Sequence, residues 1–179
     1  FWENLLDLTR LEVLEVGDLT PPESFLEWMK NSSISEFIMG HSDQAYPLPE
    51  MKHLRSVRAG ANGCPPPETL ALCTQLTKLD ISGREMERYV PILSSFPALE
   101  DLKLGEYSNT APSAFYAFHF PALTRLNVNV DSSDLPTLAD FLQRHLTLKH
   151  LKIDFGRNTP IQASWQILLK CPALETLSR

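Results

Sequence analysis

One short phrase recurs along this chain of 179 residues and limits what the chain can fold into. The phrase runs from Phe96 to Gly105, and related copies lie at residues 120–128 and 171–177. Its apolar pattern is Leu99-x-x-Leu102-x-Leu104, with leucine at the first and fourth positions of every copy. A repeat constrains the fold more than chain length does, because each unit packs on its neighbours and length only counts units.

Weaker copies of the same pattern extend over the whole chain. Eight copies align by their first apolar residue, and successive first positions are 20 to 26 residues apart. These first positions are Leu11, Ile34, Leu54, Leu76, Leu99, Leu123, Leu148 and Leu174. The interval is that of a leucine-rich repeat, whose unit is one short strand followed by a helix or an irregular return. The sequence therefore predicts an α/β leucine-rich-repeat solenoid of about seven to eight repeats, with residues 1–179 as a single domain.

The pattern also predicts which strand residues enter the core. Side chains alternate between the two faces of a strand. Because the fourth and sixth positions of each copy are apolar, we expect them to point inward and the third and fifth positions to point outward. Stacked copies then form a curved parallel sheet on the concave face, with helices and loops on the convex face.

The segments between the strands predict returns of different kinds. Residues 134–144 are the best helix, with Leu138, Phe141 and Leu142 on one side, and residues 160–170 repeat that pattern. Two further helix starts are predicted at proline-led segments. The first is Thr20-Pro21-Pro22-Glu23, and the second is Pro65-Pro66-Pro67-Glu68. Residues 41–53 show little periodicity and predict a loop.

Two further expectations concern backbone geometry. Pro91 lies within an apolar helical pattern in the fourth return, where it is expected to end or kink a helix begun earlier. Glycines stand six residues after the first position in four copies, where a left-handed strand exit is expected. They are Gly17, Gly40, Gly60 and Gly105.

Composition and motifs exclude several functional classes. A net charge of −6 argues against a nucleic-acid partner, and no apolar run approaches the length of a membrane span. The three cysteines show no disulfide framework, and Cys73 and Cys171 fit small core positions, so a cytoplasmic or nuclear location is expected. The five histidines lack metal-ligand spacing, and no nucleophile or phosphate-binding motif is present. We therefore predict no enzyme activity, no cofactor and no metal.

The outward strand positions are the candidate functional residues. In a stacked sheet they form two rows of adjacent side chains, about 4.8 Å from strand to strand. The predicted protein-binding residues are Glu36, Arg58, Lys78, Asp80, Asp101, Lys103, Arg125, Asn127, His150 and Lys152. Two compatible interpretations stay open: the alternating charges neutralise one another, or they form a docking surface for a protein partner. Acidic residues are more frequent in the early strands and basic residues in the late ones, which predicts that an acidic partner prefers the late strands.

The phrases at residues 93–104 and 168–177 resemble the leucine-rich repeats of F-box proteins, and the variable interval is similar to the fungal type. The resemblance implies substrate recognition for an SCF-type ubiquitin ligase, with a Skp-type adaptor and a cullin bound through an F-box. The resemblance implies an N-terminal F-box, which does not occur in these residues and is therefore expected before Phe1. The sequence begins within a predicted return helix and ends within a predicted strand, so we expect it to be a segment of a longer protein. Leucine-rich repeats also occur in immune receptors, ribonuclease-inhibitor-like proteins and scaffolds, so a sensor or scaffold without a ubiquitin connection is the alternative.

Overall fold

The chain forms an α/β fold built on one open, all-parallel sheet. The computed structural model describes residues 2, 7–17, 21–40, 47–60, 64–81, 86–105, 111–155 and 175–178. Eight strands pair in the order in which they occur in the chain. They are β1 (Val13–Val16), β2 (Glu36–Met39), β3 (Ser56–Ala59), β4 (Lys78–Ile81), β5 (Asp101–Leu104), β6 (Arg125–Val130), β7 (His150–Phe155) and β8 (Thr176–Ser178).

Helices of different length connect these strands. The α-helices of the described residues are α1 (Glu23–Asn31), α2 (Pro67–Leu70) and α3 (Leu135–Arg144). Short 3₁₀ helices lie at Met86–Arg88, Val90–Ser95, Ser113–Ala117 and Ser132–Asp134. The predicted helix of the sixth return is confirmed as α3, and Leu138, Phe141 and Leu142 are buried on its inner side. The two predicted proline-led helix starts are confirmed, since Pro22 precedes α1 and α2 begins at Pro67. Thr20, residues 41–46 and the helix predicted at residues 160–170 fall outside the described residues.

Burial alternates along the strands as the apolar pattern predicts. In β1 to β7 the fourth and sixth positions of each copy are buried, while the third and fifth are partly or largely exposed. The buried strand residues form one core with apolar residues of the returns, such as Phe25, Leu93 and Phe115. The core therefore lies on one face of the sheet, between the strands and their connecting segments.

One hydrogen-bonding arrangement recurs at every step from strand to strand. The carbonyl at the second position of each copy accepts two backbone N–H groups from the next copy, at 2.7 to 3.1 Å. The seven accepting residues are Glu12, Ser35, Arg55, Thr77, Glu100, Thr124 and Lys149. Because both lone pairs of these carbonyls are used, the arrangement fixes the register in which consecutive copies stack.

The fourth return differs from the expected kinked helix. Two 3₁₀ helices replace it, and Pro91 occupies the first turn of the second one rather than the end of an earlier helix. The first turn tolerates proline because its N–H groups have no partner within the helix. The apolar pattern was still informative, since all five residues that define it are buried. They are Met86, Tyr89, Val90, Leu93 and Phe96.

The glycines at the strand exits do not share one backbone conformation. Gly105 has a φ of 89°, as expected of a left-handed exit. Gly17 and Gly40 do not adopt positive φ, so the expectation is wrong for them. Gly40 instead provides space, because an added Cβ would lie 3.3 Å from the carbonyl oxygen of Val16 on the neighbouring copy.

We expect Gly105→Ala to lower the free energy of unfolding by about 1–2 kcal/mol, because a Cβ disfavours positive φ. Gly17→Ala is the matched control, since no neighbouring atom of the described residues lies within 4 Å of an added Cβ and the φ of Gly17 is not positive. Urea unfolding monitored by circular dichroism measures both changes. Equal stability of the two variants would contradict the left-handed exit at Gly105.

Candidate protein-binding face

One face of the sheet presents side chains to solvent. We define the open face as the side chains at the third and fifth positions of strands β1 to β7. These side chains are partly or largely exposed, and Val13 at the edge is 50% exposed. All-parallel sheets usually have both faces covered by helices. In the part of the chain that the structure describes, the core packs against one face alone.

The structure places all ten predicted residues on the open face. The third-position row has one residue on each strand from β2 to β7. In order these are Glu36, Ser56, Lys78, Asp101, Arg125 and His150, of which all but Ser56 were predicted. The fifth-position row follows the same register. Its predicted members are Arg58, Asp80, Lys103, Asn127 and Lys152. The adjacency expected from the repeat is therefore confirmed, while binding by these residues stays a prediction.

Ion pairs neutralise much of the charge on this face. In each cross-strand pair the cation lies one strand later than its carboxylate. The pairs are Arg58 with Glu36 at 3.9 Å, Lys103 with Asp80 at 3.2 Å, and Arg125 with Asp101 at 3.2 Å. This geometry supports the interpretation that the charges balance one another within the sheet.

The pairs differ in their exposure to water. The side chains of Lys103 and Asp80 are 28% and 14% exposed, whereas that of Arg125 is 56% exposed. Exposed pairs contribute only about 0–1 kcal/mol, and a pair shielded from water loses more when one partner is removed. We therefore expect the Lys103–Asp80 pair to contribute more to the stability of the fold than the Arg125–Asp101 pair. More than half of the Arg125 side chain stays accessible to a partner.

Lys78 takes part in none of these ion pairs. Its row neighbours are Ser56 and Asp101, and the carboxylate of Asp101 contacts Arg125 instead. Within the described residues Lys78 forms no ion pair. On the edge strand β1, Glu15 lies opposite Ile38 and likewise has no cationic partner among the described residues.

Carboxylates pair with the lysines near the late strands, so this end of the sheet has less unpaired positive charge than the sequence indicates. Lys149 pairs with Glu175 at 3.4 Å, and Lys152 pairs with Asp154 on its own strand at 3.3 Å. The imidazole Nδ1 of His150 lies 2.7 Å from Oγ1 of Thr176. The excess of cations at the late end, expected from the sequence, is thus offset by local carboxylates.

Sequence reasoning did not identify His145, which connects two returns in the core. The backbone N–H of Phe120 donates to its Nε2 at 2.9 Å, and its Nδ1 lies 2.7 Å from the carbonyl oxygen of Phe141. The ring stacks on Phe141, with centroids 3.9 Å apart. The available signal was its position three residues before a first leucine, where Phe96 and Phe120 stand in other copies.

The prediction that Cys73 occupies a small core position is confirmed. Cys73 is 1% exposed, and burial raises the pKa of its thiol, against a smaller lowering by the backbone of Met51. Cys64 is also buried, and Cys171 lies outside the described residues. Among the described residues, no group of His, Cys, Asp and Glu side chains could hold a metal ion, and no helix is long and apolar enough to cross a membrane.

Comparison with known proteins identifies no relative. No family model matches the chain, and no curated protein matches its sequence. Function is therefore inferred from the geometry of the open face and from the repeat.

Proposed function

We propose that this chain is a leucine-rich-repeat domain that binds another protein through the open face and has no catalytic role. The observation that carries the proposal is an all-parallel sheet whose polar face is covered by none of the described segments. Helices on both sides normally cover such a sheet, whereas stacked repeats leave one broad face available for partners. The identical carbonyl contacts at seven successive steps support the assignment as a repeat.

The more specific proposal is substrate recognition for an SCF-type ubiquitin ligase in the cytoplasm or nucleus. It is supported by the resemblance of residues 93–104 and 168–177 to the repeats of F-box proteins. In this arrangement the open face binds the substrate. The Skp-type adaptor and the cullin bind through an F-box elsewhere in the protein.

Affinity purification of the full-length protein from its own cells, followed by mass spectrometry, tests this proposal. We expect a Skp-type adaptor and a cullin among the co-purified proteins, together with substrates. A Ser56→Trp variant, which places a bulky ring on the open face, is expected to lose the substrates and to keep the adaptor and cullin. A Gln143→Trp variant, changed at an exposed position of α3, is expected to keep all of them.

The outcomes separate the two levels of the proposal. Partners that depend on the open face, without an adaptor or cullin, would contradict the ligase assignment and favour a scaffold or sensor. Partners unaffected by Ser56→Trp would contradict binding through the open face.

A further inference from the structure

The charge on the open face is unevenly distributed along the sheet. Strands β3 to β6 carry four cations and two carboxylates at the third and fifth positions. The cations are Arg58, Lys78, Lys103 and Arg125, and the carboxylates are Asp80 and Asp101. This central patch is therefore formally positive on a chain whose net charge is −6.

The flanking strands do not extend this positive region. On the early side, Glu15 and Glu36 make the face acidic, and Glu36 contacts Arg58. On the late side, the carboxylate of Asp154 neutralises Lys152. The positive region thus begins at β3 and ends at β6.

Lys78 lies at the centre of the central patch and has no ion pair among the described residues. The two flanking cations, Arg58 and Lys103, lie on the adjacent strands in the neighbouring row. Lys78 is partly exposed. An ammonium group with no carboxylate partner can bind an anion through charge-assisted hydrogen bonds, which are stronger than neutral ones.

We propose that the central patch binds an acidic, extended segment of a partner protein, with one carboxylate of that segment on Lys78. This inference rests on the proposed function and names the chemistry of its partner. Three strand steps of about 4.8 Å separate β3 from β6, which an extended segment of about five residues spans. The segment runs across the strands, and its carboxylates compete with Asp101 for Arg125.

A selection of random peptides tests the proposal. Dodecapeptides displayed on phage are selected against the immobilised chain, and the enriched peptides are synthesised and their Kd values measured by fluorescence anisotropy. We expect an excess of Asp and Glu in the enriched peptides. We also expect weaker binding at high salt, since screening acts on exposed charges.

The decisive comparison removes one cation from the central patch and, separately, one cation outside the open face. Lys78→Gln is expected to raise Kd about tenfold, the effect of losing one charge-assisted hydrogen bond. Lys149→Gln, at an exposed cation that is paired with Glu175 and lies outside the open face, is expected to raise Kd less than about twofold. Lys78→Arg keeps the charge and is expected to keep the affinity, which separates lost charge from misfolding.

Three results would overturn the inference. They are enriched peptides without an acidic excess, a larger effect on Kd of Lys149→Gln than of Lys78→Gln, and stronger competition by a single-stranded DNA dodecamer than by the acidic peptides. Failure of the inference is distinguishable from failure of the proposed function. Non-acidic peptides that lose binding in the Ser56→Trp variant would overturn the acidic partner alone. Enriched peptides that are all unaffected by Ser56→Trp would overturn both.

Discussion

Leu102→Ala is expected to lower the free energy of unfolding by about 2–5 kcal/mol, as measured by urea denaturation. Leu102 is 0% exposed in β5, and its neighbours in register are Leu79 and Leu126, which are also buried. The truncation removes apolar contact on both sides and leaves a cavity that neighbouring strands cannot fill, because their spacing is fixed by the sheet.

Leu146→Ala is the control for the same chemical change outside the core. Leu146 is 65% exposed, so its truncation is expected to change the free energy of unfolding by less than about 0.5 kcal/mol. Similar effects of the two substitutions would contradict the inward assignment of the fourth repeat position.

The second large effect concerns pH, and it arises from His145. We expect stability to fall as the pH drops below about 6.5, the usual pKa of histidine. Burial lowers the pKa of His145 in the folded state. The nearby charges of His119 and Arg144 lower it further, against an opposing effect of the hydrogen bond to Phe141. As the pH falls below about 6.5, the unfolded chain therefore binds a larger fraction of a proton than the folded chain does, and the folded state loses relative stability.

The geometry explains why the folded state resists that proton. Nε2 accepts the N–H of Phe120, so the ring proton lies on Nδ1 and is donated to the carbonyl of Phe141. A second proton would remove the acceptor for Phe120. One proton sets the upper limit of the slope, about 1.4 kcal/mol per pH unit.

Urea unfolding at several pH values between about 5.5 and 8 measures this effect, in a window above the usual pKa of carboxylates. His145→Leu is expected to flatten the profile and to cost about 1–3 kcal/mol at neutral pH, because the Phe120 N–H loses its acceptor. His53→Gln, at an exposed histidine, is expected to keep the wild-type profile. If the free energy of unfolding of His145→Leu kept the wild-type pH dependence, another group would be responsible for it.

Repetition made the strand register predictable from sequence. Each copy carries the same spacing of apolar residues, and a shift of one residue would expose Leu102 and its equivalents while burying charged neighbours such as Lys103. The rows of the open face follow directly from that register. The choice of partner within a row does not, because Asp101 can reach either Lys78 or Arg125 and the side-chain conformation decides.

The returns were less predictable, because several local geometries can bury the same apolar residues. The residues around Pro91 bury one side through two 3₁₀ helices instead of one kinked α-helix. His145 escaped prediction for a related reason. The 3₁₀ helix at Ser113–Ala117 ends before Phe120, so the N–H of Phe120 needs an acceptor from another segment, and the sequence does not reveal that need.

Site-specific photo-crosslinking tests most directly whether the open face binds proteins. A benzophenone amino acid is introduced at Ser56 or Asn127 on the open face, and at Gln143 on the exposed side of α3. After irradiation of cells, the account predicts covalent adducts with a partner protein from the first two positions and none from the third. Adducts from Gln143, with none from Ser56 or Asn127, would contradict it.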